Sequence, residues 1–310
     1  MNRTPEDTRS LPTVIIHTVT FFIMTVLSLA GNLFVCFAFY GNRRLRTITN
    51  FFVFSLPITD IISATFEYSF NTVAFGLRKW PFCVNFCQFH GFFAFYWDVV
   101  TMSILALTIV NRYFCVVKPR FYSSFFTKRK TVFLILFVLL FTLTVSLTIT
   151  LVTPVMFRWH YHYLFCQLKD VQELAQNRGT TISLVIGFVA LPMYLILFCY
   201  GSVCLVITQH NFVVVSSLQD ANGQGTLSAH EIQASRVLLA AVIAFCVCWI
   251  PATVVGVLEG IARITVSSFW QSANTLAAAY SAWINPIIYG VMNRAMRKES
   301  LKLLRCRKES

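Results

Sequence analysis

Asn285-Pro286-Ile287-Ile288-Tyr289 lies near the end of an apolar run, Val266 to Met292, that is long enough to cross a bilayer. Inside such a run proline deletes a backbone donor and strains the helix, while asparagine needs hydrogen-bonding partners. Both are costly in lipid unless a polar cavity and neighbouring helices receive them. The stretch therefore predicts a helix packed within a bundle, with a point at which it can move.

The chain around it fits that reading. Of its 310 residues 57% are hydrophobic and 12% charged, far from the balance of a soluble domain. Windows of roughly 20 apolar residues give candidate spans centred near Leu29, Ser63, Ser103, Leu140, Ile196, Ala244 and Ala278, separated by short polar or basic stretches. The sequence has no internal repeat, low-complexity tract or loop large enough for a second domain. The expectation is a single all-α membrane domain: residues 1–11 outside, a seven-helix bundle over 12–292, and a cytoplasmic helix and tail over 293–310. The first apolar stretch begins around Leu11 without a basic n-region or a small-residue cleavage site, so it reads as a retained span. Asn2-Arg3-Thr4 fits a glycosylation acceptor and agrees with an N-terminus outside.

A net charge of +13 raises the question of nucleic acid, but its distribution answers with topology. With the N-terminus outside, 17 of the 25 basic residues fall on the cytoplasmic side, among them Arg43, Arg44, Arg112, Lys128, Arg129 and Arg297. No nucleic-acid partner is expected. Of the ten cysteines, Cys36, Cys115, Cys199, Cys204, Cys246 and Cys248 lie in apolar spans and read as small buried hydrophobes. On the oxidising side a bridge from Cys87 to Cys166 would tie the second outer loop over the bundle mouth. Cys83 is either free or competes for Cys166, and spacing does not decide between them.

Gly31-Asn32, Leu56-Pro57-Ile58-Thr59-Asp60, Trp80-Pro81-Phe82 ahead of Cys87, Asn111-Arg112-Tyr113, Pro192 with Tyr200, Cys248-Trp249-Ile250-Pro251 and Asn285-Pro286 with Tyr289 occur in this order along the chain. Together they resemble a rhodopsin-like (class A) G-protein-coupled receptor, from about the first span to the tail. Three departures stand out: Asn111 where the family usually has aspartate, no tryptophan in the fourth span, and Met296 where phenylalanine is common in the tail helix. The resemblance implies a plasma-membrane receptor with an extracellular ligand, a heterotrimeric G protein as its inner partner, and no enzymatic activity.

It also assigns roles. Arg112 matches the arginine that acids restrain in the silent state, with Glu231 matching the remote acid. The adjacent acid is missing, so Glu231 alone would hold the resting state and basal signalling would be raised. Asp60, Thr101, Ser281 and Asn285 match a sodium-binding cluster, a protonated Asp60 being the alternative, and these oxygens are hard ligands suited to such an ion. No other cofactor is implied. Trp249, Phe245, Met102 and Pro192 match a packing switch beneath the ligand, and on composition alone they are ordinary core. Pro251 and Pro286 give the helices places to pivot, and Tyr289 would swing toward Tyr200. The tail alternates Met296, Leu301, Leu303 and Leu304 with basic residues, which suits a short amphipathic eighth helix on the inner leaflet. Cys306 is a palmitoylation candidate.

For the ligand the residues speak by themselves. Ala94 stands where amine receptors carry an aspartate, four residues above Asp98, and Ala279 where opsins carry the retinal lysine. Two other acids occupy the outer half of the bundle, Glu67 seven residues beyond Asp60 and Asp98 three before Thr101, so helical spacing turns both inward. With no basic residue in the outer parts of the spans, they are either hydrogen-bonded structural acids, anchors for a cationic amine, or proton sensors. Tyr96, with Tyr68, Phe93, Phe95 and Trp97, supplies aromatic faces that suit a cation or any flat ligand. A neutral indole or nucleoside is the alternative ligand. A transporter, the rival class, should show symmetry between halves, and none is visible.

Overall fold

A computed structural model describes residues 9–43, 47–152, 157–160, 165–168, 186–216, 229–262 and 264–292. Among the described residues are seven long helices: α1 (Leu11–Gly41), α2 (Ile48–Gly76), α3 (Val84–Val117), α5 (Lys128–Val152), α6 (Leu191–Ser216), α7 (Ala229–Gly260) and α8 (Ser268–Met292). The short α4 (Pro119–Phe125) follows α3. Local chemistry places several of the starts. Ser10 Oγ accepts from Thr13 N at 3.4 Å ahead of α1, Thr47 Oγ1 from Asn50 N at 3.3 Å ahead of α2, and Thr127 Oγ1 from Lys130 N at 3.3 Å ahead of α5. Pro119 opens α4, where its missing N–H has no intrahelical partner to lose.

Six of these helices, all but α8, contain windows long and apolar enough to cross a membrane. The run of α8 is broken by Gln271, Ser272, Asn274, Thr275, Ser281 and Asn285. The burial pattern is the reverse of a soluble protein. Phe133, Leu140, Leu151 and Val247 are exposed, whereas Asn32, Asp60, Asn111 and Arg112 are all buried, at 4% exposure or less. Apolar side chains facing outward and polar ones inward suit a bundle whose solvent is lipid.

At the centre α3 packs against α2, α5, α6 and α7. Leu56, Val100, Met102, Ile104, Ile109, Ile196, Tyr200, Leu238, Val242 and Phe245 form its main apolar core. The seam between α1 and α8 shows why two sequence motifs belong together. Pro286 has no N–H for the carbonyl of Ala282 one turn earlier, and Asn32 Nδ2 donates to that carbonyl at 2.9 Å. Gly31 lets the helices approach, since a Cβ there would sit 2.8 Å from Pro286 Cβ.

Beside the all-α bundle the described residues hold one short hairpin. Phe157–His160 (β1) and Phe165–Leu168 (β2) pair antiparallel, with Trp159 opposite Cys166. Cys87 is bridged to Cys166 with Cα atoms 5.6 Å apart, and Cys83 is free and exposed. The Gln88 side chain accepts from Phe157 N at 2.8 Å and donates back to Phe157 O, so its amide serves as one more rung of backbone. Gly91 makes room beneath, because a Cβ would lie 2.4 Å from the Phe157 ring and 2.5 Å from Cys166 O. α2 holds a second irregularity, a π-helical turn over Ala64–Tyr68, where Ser69 Oγ donates to Ala64 O five residues back at 2.8 Å.

Candidate functional site

A cavity of about 190 Å³ opens among the outer halves of α1, α2, α3, α7 and α8. Glu67, Tyr68 and Asn71 line it from α2, Asp98 from α3, Trp249, Ala252 and Gly256 from α7, Gln271, Asn274 and Thr275 from α8, and Phe21 from α1. The π turn shapes this wall. A regular helix turns about 100° per residue, and the wider turn slows that rotation, so the neighbours Glu67 and Tyr68 both reach the cavity.

Part of the polar lining is left without internal partners. Among the described residues Glu67 Oε2, Asn71 Oδ1 and Asn274 Nδ2 are buried and unpartnered, and no lysine, arginine or histidine lines the cavity. His90 meets the backbone carbonyl of Glu67, at 3.4 Å, and not its carboxylate. Gln271 is engaged at the outer edge, donating to Glu259 Oε1 at 2.7 Å.

Trp249 joins this cavity to the inner half of the bundle. Its Nε1 donates to Ser281 Oγ at 3.2 Å, Ser281 donates to Ala278 O at 2.7 Å, and its ring stacks on Phe245 with centroids 5.6 Å apart. Phe245 and Ser281 line, with Thr101, Leu105 and Asn285, a second cavity of about 10 Å³, room for about one water-sized ligand. Asn285 Nδ2 donates to Asp60 Oδ2 at 3.1 Å. Asp60 meets the lining of this cavity through Asn285, and its carboxylate with the hydroxyls of Thr101 and Ser281 would offer a hard monovalent cation oxygen ligands and a compensating charge. Asn285 is next to Pro286, so cavity, tryptophan, carboxylate cluster and hinge form one continuous set of contacts.

On the inner side Arg112 is buried, its Nη1 donates to Cys115 Sγ at 3.7 Å, and its Nε has no acceptor. It makes no ion pair among the described residues. Asn111 is fully buried with both amide atoms unpartnered. The Tyr200 hydroxyl donates to Ser235 O on α7, and the Tyr289 hydroxyl is buried without a partner, so the two tyrosines are not joined here.

Glu67, Asp98 and Trp249 thus line one cavity. Tyr96 does not. Its hydroxyl donates to Leu139 O on α5 at 3.2 Å, because residues two apart in a helix point to nearly opposite sides and Asp98 takes the inward one. Trp97 likewise turns to α2, donating to Thr59 O at 2.9 Å. Met193, next to Pro192, packs against the apolar cluster that holds Met102 and Phe245. Pro251 sits within α7. The Glu231 side chain, Asn2, Cys306 and the tail helix lie outside the described residues. Asn71, Gln271, Asn274, Thr275 and Phe21 were not anticipated. The polar series Gln271, Asn274, Thr275 at helical spacing was the signal available for three of them.

Residues 31–289 match the family model of the seven-transmembrane receptors of the rhodopsin family, and the chain belongs to that family. It is a multi-pass membrane receptor of a signalling family, not an enzyme. The chain is similar to melatonin receptor type 1A-A of Danio rerio, at 22% identity over 98% of this chain and 83% of that one. It is also similar to G-protein coupled receptor 161 of Xenopus tropicalis, at 24% identity over 94% of this chain, and spans only 60% of that relative's length. Among solved structures squid rhodopsin shares the fold, with a TM-score of 0.81 at 20% identity over 96% of this chain and 88% of that one.

Proposed function

We propose that this receptor sits in the plasma membrane with its N-terminus outside and passes the binding of a small extracellular cation to a heterotrimeric G protein. The observation that carries the ligand class is the pairing of Glu67 and Asp98 on a cavity that no basic residue lines among the described residues. A buried carboxylate needs a counter-charge or a full set of donors, and the aromatic faces of Tyr68, Phe21 and Trp249 favour a cation over an anion.

The ligand, pressing on Trp249, disturbs its bond to Ser281 and its stack on Phe245. The inner part of α7 then moves about Pro251, taking with it the Ser235 carbonyl that holds Tyr200. A freed Tyr200 can meet Tyr289 as α8 bends at Pro286, and Arg112 becomes available to the G protein. Asp60, Thr101, Ser281 and Asn285 would hold a sodium ion, which when bound supplies the positive charge that balances Asp60. Losing that balance as the helices shift favours the active packing.

The test is recruitment of a mini-G protein in cells exposed to amines, indoles and nucleosides, for the wild type, Glu67→Gln and Asp98→Asn. A cationic agonist is expected to lose roughly tenfold or more in potency in each variant, as for a lost charge-assisted bond. Undiminished potency in both would refute the anchors. Activation by neutral indoles or nucleosides alone would transfer the site to the neutral class.

A further inference from the structure

We infer that the ligand of this cavity is a small organic dication of the short α,ω-diamine class, with one cationic group on Glu67 and the other on Asp98. The inference rests on the reading of the cavity as the ligand site and adds the number of charges. The lining is strongly one-sided. Glu67 and Asp98 when ionised only accept hydrogen bonds, and Asn71, 1% exposed, adds an unpartnered acceptor in Oδ1. Against these stands Asn274 Nδ2, a single orphaned donor. Such a set asks for a molecule that is mainly donor.

With both acids ionised, charge sets the count at two. Among the described residues neither carboxylate has a basic partner, and Glu67 Oε2 is closed off from solvent with nothing to accept from. A monocation would balance one acid and leave the other uncompensated beside it, in surroundings of low dielectric where that is most costly. A dication balances both.

Size limits what carries those charges. At about 190 Å³ the cavity is smaller than the roughly 300–1,000 Å³ of drug-sized sites, so the linker must be short. Phe21, Tyr68 and Trp249 give methylenes an apolar wall and ammonium groups an aromatic face. A bare divalent ion suits the cavity poorly. Two carboxylates and one amide oxygen fall short of the 6–8 oxygens calcium takes, and the space exceeds any ion.

The experiment is thermal melting of the purified full chain with putrescine and cadaverine against butylamine and pentylamine, with a calcium chloride arm at matched ionic strength. Mini-G recruitment in cells with the same compounds runs in parallel. The expected result is stabilisation by a diamine at concentrations where the matched monoamine does nothing. Glu67→Gln or Asp98→Asn should weaken the diamine by roughly tenfold or more and bring it level with the monoamine. Two isosteric variants and the wild-type comparison keep the test intact if one variant folds poorly. Equal effects of monoamine and diamine on the wild type overturn the dication and leave the cationic reading standing. A response to neutral indoles or nucleosides alone overturns both. Stabilisation by calcium only, by no diamine, or by diamines that ignore both substitutions overturns the inference.

Discussion

At the scale of single residues, the polar groups in this bundle are explained by one another. Asn32 is the partner of a carbonyl that Pro286 leaves bare, and its amide also reaches Ser28 O at 2.9 Å. Asn32→Ala leaves the Ala282 carbonyl with only the long bond from Ser28 Oγ at 3.5 Å, so a loss of about 1–3 kcal/mol is expected. Thermal inactivation of the purified receptor measures it. Gly31→Ala should cost a similar amount through the close approach to Pro286 Cβ, and the two effects should not add, because they share one contact. Asp60 makes a different prediction. Sodium is expected to raise the melting temperature of the wild type relative to a bulky organic cation at equal ionic strength, and to have no such effect on Asp60→Asn. An unchanged sodium effect in that variant would remove the ion from this cluster.

At the scale of elements, the hairpin of the second outer loop is held to α3 by three devices of different chemistry. The Cys87–Cys166 bridge is covalent, Gln88 pairs with the Phe157 backbone, and Gly91 provides space. Trp159 then packs on Phe75, and Phe75 on Phe21, which lines the cavity, so the hairpin is two contacts from the cavity wall. Gly91→Val should force the hairpin off α3 while leaving the helices formed. The expected outcome is a loss of about 1–3 kcal/mol with a fall in agonist potency, read by thermal melting and mini-G recruitment. A variant with wild-type melting would show that the hairpin does not rest on Gly91.

At the scale of the whole molecule, contacts run from the outer cavity through Trp249, Ser281 and Asn285 to Asp60 and Pro286, while the inner end holds Arg112 without an ion pair among the described residues. Asn111, next to Arg112, is buried with neither amide atom bonded. An acid at this position would give the arginine a partner and favour the resting packing. Asn111→Asp is therefore expected to lower basal mini-G recruitment several-fold at equal surface expression. Basal activity that rises or stays level would count against a resting state weakened by the missing acid.

Much of this was legible in the sequence, for a reason specific to lipid. Apolar runs mark the spans, and since lipid rejects polar groups, Asn32, Asp60, Glu67, Asp98 and Asn285 announce the inward face by themselves. The apolar side chains carry no such mark. In a bilayer both faces of a helix are hydrophobic, so no periodicity told that Tyr96 faces α5 or that Met193 packs on the core. The hairpin was equally silent, because its hold on α3 depends on a glutamine and a glycine that acquire meaning only against Phe157. Sequence alone determined the class of bundle and where its polar groups lie, since those follow from what lipid excludes. Tertiary structure decided that Asn71, Gln271 and Asn274 meet Glu67 and Asp98 on one cavity, since that depends on a π turn and on how separate helices rotate against each other.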